Sequence, residues 1–500
     1  MATQSDRDAL PLSLIRAFRI GRHDVVAFVG AGGKSTLILC LAGELAAAGL
    51  RVVTTTTTHL FSLQMRQAPA SLMLRDAGTL PAELPGLLAE YGHVAVAGGV
   101  TAAGDKVQGL PPELIDRLAA HPAVDVVLAE ADGARGLPFK APAEHEPVLP
   151  ASATLVCPVV GLDVLGRALG PEHVHRPEQV AALTGAALGD TVSPQMIAQV
   201  LAHHQGGAKG APAGARLVPF LNEASDASAL SSAREIARLL LAHSRVESAL
   251  IGAAGGSRGE AFSGRPGDMP DRRTGERTLV GRGIGLECLA LIVREAWGRV
   301  GAVVLAAGAG TRFGALKQAL PWHGQPLVAH IAAQALACAN VQRVAVTVGA
   351  EGDRVRAALA GANVQIVPVP DWAEGQSWSV RAGLEALRPG NPGAVLFLLA
   401  DQPGVSPALL SALIQRHRET LAPVVAPRHR GRRGNPVLFD RAVFGELAAL
   451  SGDVGGRPVL QAHRDEVAWV DWPTPEILQD IDTAGDYQAL TVGDGGSRGD

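Results

Sequence analysis

Short apolar runs alternate along the chain with longer segments whose apolar positions recur at helical spacing. The alternation fills two stretches, from about Asp24 to about Ala253 and from about Arg299 to about Leu490. In the second stretch Ala302–Leu305, Arg343–Val348, Val364–Val367, Ala394–Leu399 and Pro423–Ala426 read as strands, with helices in most of the gaps. In the first, DVVAFVG, the run before TTTTTHL, and VDVVLAEADGARG each begin as a strand. Strand–helix alternation predicts parallel sheets covered by helices on both faces, so the expected fold class is α/β, with two three-layer α/β domains over 1–253 and 299–490. Between them, AAGGSRGEAFSGRPGDMPDRRTGERTLVGRG lacks apolar periodicity and reads as a linker. GLECLALIVREAWGR reads as a connecting helix, completing a 254–298 connection, and the tail 491–500 is expected to be disordered.

Composition narrows the function classes. Among 500 residues, 47% are hydrophobic and only 4% aromatic, which suits helices packed closely on sheets and argues against a base-stacking platform. A formal charge of −4 leaves no electrostatic footprint for nucleic acid or an anionic membrane. The four cysteines, Cys40, Cys157, Cys288 and Cys338, form no CxxC pair, so neither a zinc site nor a disulfide framework is expected. The first residues lack a basic-then-apolar leader, and no apolar run approaches the roughly 20 residues of a membrane span. A cytoplasmic protein with no nucleic-acid and no membrane partner is the expectation.

The richest chemistry in the second stretch is VVLAAGAGTRFGALKQAL. Its glycines, Gly308, Gly310 and Gly314, follow a strand with GxGxxxG spacing, one residue longer than a dinucleotide fingerprint. Arg312 and Lys317 add charge that a dinucleotide loop does not need and a triphosphate does. The loop, with Leu305, Ala306, Ala307, Gly308, Gly310, Thr311 and Gly314, is therefore a candidate triphosphate site. AVLFLLADQPG delivers Asp401 to the carboxyl edge of the sheet, where ligands of such folds bind, and a carboxylate there is a candidate ligand for a hard cation. A second carboxylate is sought in LQDIDTAGDY; Asp482 is chosen, with Asp480 and Asp486 as rivals.

LAAGAGTRFGALKQ, LADQPG, RGNPVLF, GDVGGRPVL and DIDTAGDY together resemble the molybdenum cofactor cytidylyltransferases, over nearly all of Val300 to Leu490. The resemblance implies a Rossmann-like nucleotidyltransferase domain that transfers CMP from CTP to the terminal phosphate of molybdopterin, with Mg²⁺ on Asp401 and Asp482. Arg312, Lys317 and Asp401 would be catalytic, Ser377 and Ser379 would shape the nucleotide pocket, and Asn435 and Arg433 would meet the pterin phosphate. Related guanylyltransferases usually read LAGG at the first motif. Here Ala307 adds a methyl that narrows the base pocket and favours CTP over GTP.

In the first stretch DVVAFVGAGGKSTLILCLAGEL reads strand, glycine loop, helix. Gly30, Gly32 and Gly33 precede Lys34, Ser35 and Thr36, a shortened phosphate loop in which backbone N–H groups and a helix N-terminus would cradle phosphates. Glu130 and Asp132 end a second strand facing that loop, where they could bind Mg²⁺ or orient water. Lys140, Glu144, His145 and Glu146 crowd together in PFKAPAEHEPVLP, but their spacing fits no defined metal site. GAGGKST, TTTTTH, EADGARGLPFKAPAEHEPVLP and HRPEQV resemble the selenium-dependent hydroxylase accessory proteins. That resemblance implies a P-loop-like domain binding ATP or another NTP, linked to maturation of molybdenum hydroxylases, with a hydroxylase or its chaperone as partner. Two other readings stay open: a nucleotidyltransferase using GTP or a sugar phosphate, and a non-catalytic cofactor carrier.

Overall fold

The computed structural model describes residues 12–58, 60–61, 65, 67–74, 80–99, 106–255, 290–308, 313 and 316–493. The chain divides into two compact units, Pro11–Trp297 and Gly298–Asp500.

The first unit is built on a 10-stranded sheet. Its elements include β1 (Asp24–Gly30), α1 (Lys34–Ala47), β2 (Val52–Thr56), β3 (Ala70–Met73), β4 (His93–Ala97), β5 (Val126–Glu130), β6 (Phe139–Lys140), β7 (Leu155–Gly161), β8 (Val174–His175), α2 (Pro177–Thr184), β9 (Arg216–Leu217), β10 (Phe220–Asn222), α3 (Ala227–Leu241), β11 (Ser248–Gly255) and β12 (Ala290–Gly298). The sheet runs β12-β11-β10-β7-β1-β5-β2-β4-β3, with β9 beside β7, and β6 and β8 pair separately. Both faces of β1 are covered: Ala27 and Val29 join one apolar core and Val25 the other. This is why its sequence is apolar throughout rather than alternating. Parallel pairing of β1 with β5 sets Phe28 opposite Glu130 and brings the acidic end of β5 beside the glycine loop.

The segment GLECLALIVREAWGR, expected as a connecting helix, is instead a strand from Ala290 onward, and the first unit extends past residue 253 to include β11 and β12. Ile292 and Arg294 are exposed while Val293 and Glu295 are buried, a period of two that ends where Ala296 and Trp297 are both buried. Glu295 accepts from Arg234 Nε at 2.9 Å and from Trp297 Nε1 at 2.7 Å, so its burial is compensated. An open sheet edge beside β11 decides the conformation over a run whose local pattern also fits a helix. Most of the expected linker lies outside the described residues. The expected boundary at 490 is crossed by the last helix, which ends at Gly493; residues 494–500 of the tail lie outside the described residues.

The second unit contains β13 (Val300–Ala306), α4 (Leu327–Ala337), β14 (Arg343–Val348), α5 (Gly352–Ala358), β15 (Gln365–Pro368), α6 (Gln376–Leu387), β16 (Ala394–Leu399), α7 (Pro407–Thr420), β17 (Val424–His429), β18 (Arg432–Arg433), β19 (Val437–Asp440), α8 (Arg457–Ala462), β20 (Ala468–Asp471) and α9 (Ala484–Gly493). Its 8-stranded sheet runs β15-β14-β13-β16-β19-β17-β18, with β20 beside β17. Along β16, Ala394, Leu396 and Leu398 enter the core beneath α4 and α7, while Val395 and Phe397 enter the core beneath α6. The sheet is not wholly parallel as expected: β19 runs antiparallel to both β16 and β17. Among the described residues no helix is long and apolar enough to cross a membrane.

In the first unit His93 is buried and its Nε2 lies 3.0 Å from Thr54 Oγ1. Burial depresses its pKa to about 4. The folded state therefore binds the proton less tightly than the unfolded chain. The associated stability is fully present above pH 6.5 and is lost as pH falls towards about 4. Denaturant titrations across this window should show the first unit losing on the order of 3 kcal/mol. Most of that slope should vanish in His93→Gln. Glu146 and Asp125, each held down at about 2, lose their contribution from the ordinary carboxylate range downward, mostly below this window.

Candidate active site and phosphate loop

In the second unit the site forms where β13, β14 and β16 end. Asp401 follows β16, and its backbone carbonyl accepts the N–H of Ile481 at 3.0 Å, which pins the segment carrying Asp482 beside it. Lys317 Nζ donates to Asp482 Oδ1 at 2.8 Å and lies 3.7 Å from Asp401 Oδ2. Lys317 itself is 8% exposed, so its charge sits in a site that needs counter-charge. Burial raises the pKa of Asp401, and Lys317 opposes the shift. The two rivals for the second carboxylate are used elsewhere. Asp480 accepts from Gln402, and Asp486 accepts from the Thr483 N–H at 2.7 Å and its hydroxyl at 2.8 Å.

A cavity of about 540 Å³ opens here, lined by Leu305, Ala307, Gly308, Lys317, Ser379, Asp401 and others. Gln318, also in the lining, was not anticipated from sequence. Its Nε2 donates to Gly308 O at 2.9 Å and to Ala306 O at 3.3 Å, holding the end of the glycine loop's strand. Trp372 lines the opposite side and packs on Gly349, where a Cβ would come within 2.5 Å of its ring. Ser377 is fully buried and is not part of the lining, so of the two expected serines only Ser379 faces the cavity. Gly310, Thr311, Arg312 and Gly314 lie outside the described residues.

Asn435 and Arg433 are not brought into this lining. Arg433 is exposed on the β17–β18 hairpin, and the Asn435 N–H donates to Ile477 O at 3.1 Å. Arg457, at the start of α8, lies close enough to Arg433 for the two charges to interact. Sequence reading quoted its motif and missed this meeting, which depends on how the hairpin folds back.

In the first unit Gly30, Gly32 and Gly33 adopt φ of +88°, +80° and +110°, and a Cβ at Gly32 would sit 2.1 Å from Gly161 N. These positions need glycine for close packing on β7 as well as for backbone conformation. The loop turns Lys34 inward, where its Nζ donates to Gly30 O at 2.5 Å and pairs with Asp132 at 3.1 Å and Glu130 at 3.6 Å. Ser35 Oγ donates to Glu130 Oε2 at 3.0 Å, and the Gly30 N–H donates to Asp132 Oδ2 at 2.9 Å. Burial pulls the Lys34 pKa down, but Asp132 and Glu130 outweigh it and the net shift is upward. Burial raises that of Glu130. Thr36 follows on α1, and Thr55 lines a cavity of about 30 Å³ with Ser35 and Glu130. The sequence-predicted Lys34, Ser35, Glu130 and Asp132 are thus in mutual contact. Glu144 and His145 are exposed, and among the described residues no group of three or more His, Cys, Asp and Glu side chains converges as a metal site.

Residues 26–178 match the YqeC protein family and residues 302–467 match the MobA-like NTP transferase domain. The uncharacterized protein YqeC of Escherichia coli K12 is 40% identical over 223 residues, 44% of this chain and 84% of that protein. A second relative, nicotine blue oxidoreductase of Paenarthrobacter nicotinovorans, is 32% identical over 189 residues, 36% of this chain and 91% of that protein. The chain joins a YqeC domain to a MobA-like NTP transferase domain. Rv0371c of Mycobacterium tuberculosis, solved in complex with manganese, is 31% identical and covers 38% of this chain and 97% of its own, with a TM-score of 0.33.

The MobA-like domain is a nucleotidyltransferase, and Lys317 and Asp401 lie within the residues that match it. In the YqeC domain, Lys34 is a buried cation shared by two carboxylates. Lys34→Met should cost that domain about 3–5 kcal/mol, because it strands buried negative charge. Adding Glu130→Gln should recover part of the loss. Denaturant unfolding of the single and double variants measures both.

Proposed function

We propose that this is a cytoplasmic protein that matures the molybdenum cofactor for molybdenum hydroxylases. In this reading the transferase domain moves CMP from CTP onto molybdopterin, and the YqeC domain binds ATP or another NTP. The observation that carries the reading is Lys317, shared between Asp401 and Asp482 and lining, with Asp401, a cavity of about 540 Å³ beside the glycine loop.

The terminal phosphate of the pterin is already ionised at neutral pH, so the step needs no strong general base. A phosphate oxygen forms a bond to the α-phosphorus of CTP, and the bond to the β-phosphate oxygen breaks, its electron pair leaving on pyrophosphate. Catalysis is then positioning plus charge stabilisation. Lys317 counters charge on the triphosphate, Gln318 fixes the loop that approaches it, and Ser379 offers a hydroxyl to the nucleotide. The hard oxygen donors of Asp401 and Asp482 suit a divalent cation such as Mg²⁺, held jointly with substrate phosphates. When bound, such a cation supplies neutralisation of the phosphate oxygens. Ala307 lines the cavity and is almost fully buried, so its methyl takes space a purine would need. Arg433, with Arg457 beside it, and Asn435 would receive the pterin phosphate. A molybdenum hydroxylase or its chaperone would take the product.

A second reading has one observation in its favour: the relative named nicotine blue oxidoreductase. It would make the cavity the site of a redox step, and it leaves the lysine shared between two carboxylates without a task.

Pyrophosphate release with Mg²⁺ and molybdenum-loaded molybdopterin should occur with CTP and not with ATP. It should fall by about 10²–10³ in Asp401→Ala or Lys317→Ala. Ala307→Gly should raise the GTP-to-CTP ratio of kcat/KM by about tenfold. CTP binding without pyrophosphate release would favour a carrier. Reduction or oxidation of nicotine blue with no pyrophosphate would favour the oxidoreductase.

A further inference from the structure

The cavity of the transferase domain has a wall that a triphosphate does not explain. Three charged residues line the cavity: Lys317 and Asp401, which lie 3.7 Å apart, and Asp453. Asp453 is exposed and, among the described residues, forms no ion pair. Its Oδ1 accepts the N–H of Gln376, the first residue of α6, at 3.2 Å. Its Oδ2 is left open to the cavity side of the chain's polar groups, with no donor among the described residues.

Glycines lock this carboxylate in place. A Cβ at Gly375 would come within 2.5 Å of Gly452 O and 2.6 Å of Asp453 Cα, and one at Gly455 within 2.7 Å of Gln376 Oε1. A Cβ at Gly456 would meet the Phe439 ring at 2.5 Å, so the same loop is also seated on β19. The Ser377 N–H adds a bond to Gly452 O at 3.4 Å. These close approaches hold Asp453 beside Gln376, and both line the cavity together with Trp372.

An unpaired carboxylate repels phosphate oxygens, so it faces a part of the ligand that donates hydrogen bonds. The Gln376 side-chain amide has no hydrogen bond among the described residues, and Trp372 supplies an aromatic surface. Carboxylate, amide and indole suit a flat heterocycle that carries N–H donors. Cytosine has one such group, its exocyclic amine. A 2-amino-4-oxopyrimidine edge has two N–H donors side by side, matched to the two oxygens of a carboxylate, with a carbonyl next to them for an amide N–H. Each carboxylate oxygen has a second lone pair, so the bond from Gln376 does not block this pairing.

We infer that Asp453 determines specificity for the acceptor: with Gln376 and Trp372 it reads the 2-amino-4-oxopyrimidine edge of the pterin ring. The inference deepens the proposed transfer to molybdopterin and rests on it. Guanine carries the same edge, so the experiment separates a pterin acceptor from GTP.

The test is fluorescence titration of pterin, and of lumazine, in which an oxygen replaces the 2-amino group, into the full-length protein saturated with CTP and Mg²⁺. The wild type should bind pterin at least about tenfold tighter than lumazine, because a site built around an N–H donor rejects the analogue lacking it. Asp453→Asn should weaken pterin at least about tenfold and abolish that preference. Asparagine keeps an oxygen for the Gln376 N–H, so the variant should melt like the wild type and bind CTP equally well. Absence of pterin binding, equal binding of pterin and lumazine by the wild type, or a preference that survives in Asp453→Asn overturns the assignment. GTP binding that depends on Asp453 places the edge on the nucleobase and overturns it too. Failure of the wild type to release pyrophosphate from CTP and molybdenum-loaded molybdopterin overturns the transfer reading instead. The pterin-to-lumazine ratio, measured without nucleotide, then still decides whether Asp453 reads the edge.

Discussion

A lysine buried at the end of a glycine loop must be given counter-charge, and both domains depend on how that is done. Lys34 receives it from Glu130 and Asp132, at the end of the strand beside β1. Lys317 receives it from Asp401, at the end of the strand beside β13, and from Asp482 on a later segment. An unpaired ammonium in either place would cost several kcal/mol. Parallel pairing meets the requirement because it brings the carboxyl ends of neighbouring strands to one edge. The same edge that stabilises the fold thereby collects the groups able to handle a triphosphate.

The two solutions differ in what they leave accessible. In the transferase domain Lys317 and Asp401 border a cavity large enough for a nucleotide, and Asp482 is more than half exposed. In the YqeC domain the charges are drawn inward, Ser35 is occupied by Glu130, and the cavity beside them is about 30 Å³. A phosphate arriving at that loop competes with Asp132 and Glu130 for Lys34. The cost is shared along the ion pairs running to Lys140, Glu146 and Arg176, so events at the loop are electrostatically felt at Arg176.

Much of the site was legible in the sequence for a simple reason: chemistry that needs glycine, lysine and aspartate at strand ends leaves those residues at strand ends. Lys34, Ser35, Glu130 and Asp132 meet, as do Lys317, Asp401 and Asp482. Ser377, expected with Ser379 to shape the nucleotide pocket, falls on the inner face of α6 and is buried. Trp372 carries no motif and enters the lining because Gly349 leaves room for a ring. Gln318 closes the first motif, but its place in the lining comes from its hydrogen bonds to Gly308 and Ala306.

The sequence by itself determined the alternation of strands and helices, the two α/β domains and the glycine-loop lysines, because periodicity and residue chemistry are local properties. The tertiary structure alone decided that Ala290–Gly298 is a strand, since an open sheet edge outweighs helical spacing. It also decided that β19 runs antiparallel, and that Asp482 rather than Asp480 or Asp486 meets Lys317. Those outcomes depend on contacts between residues far apart in the chain. No window of neighbouring residues contains them.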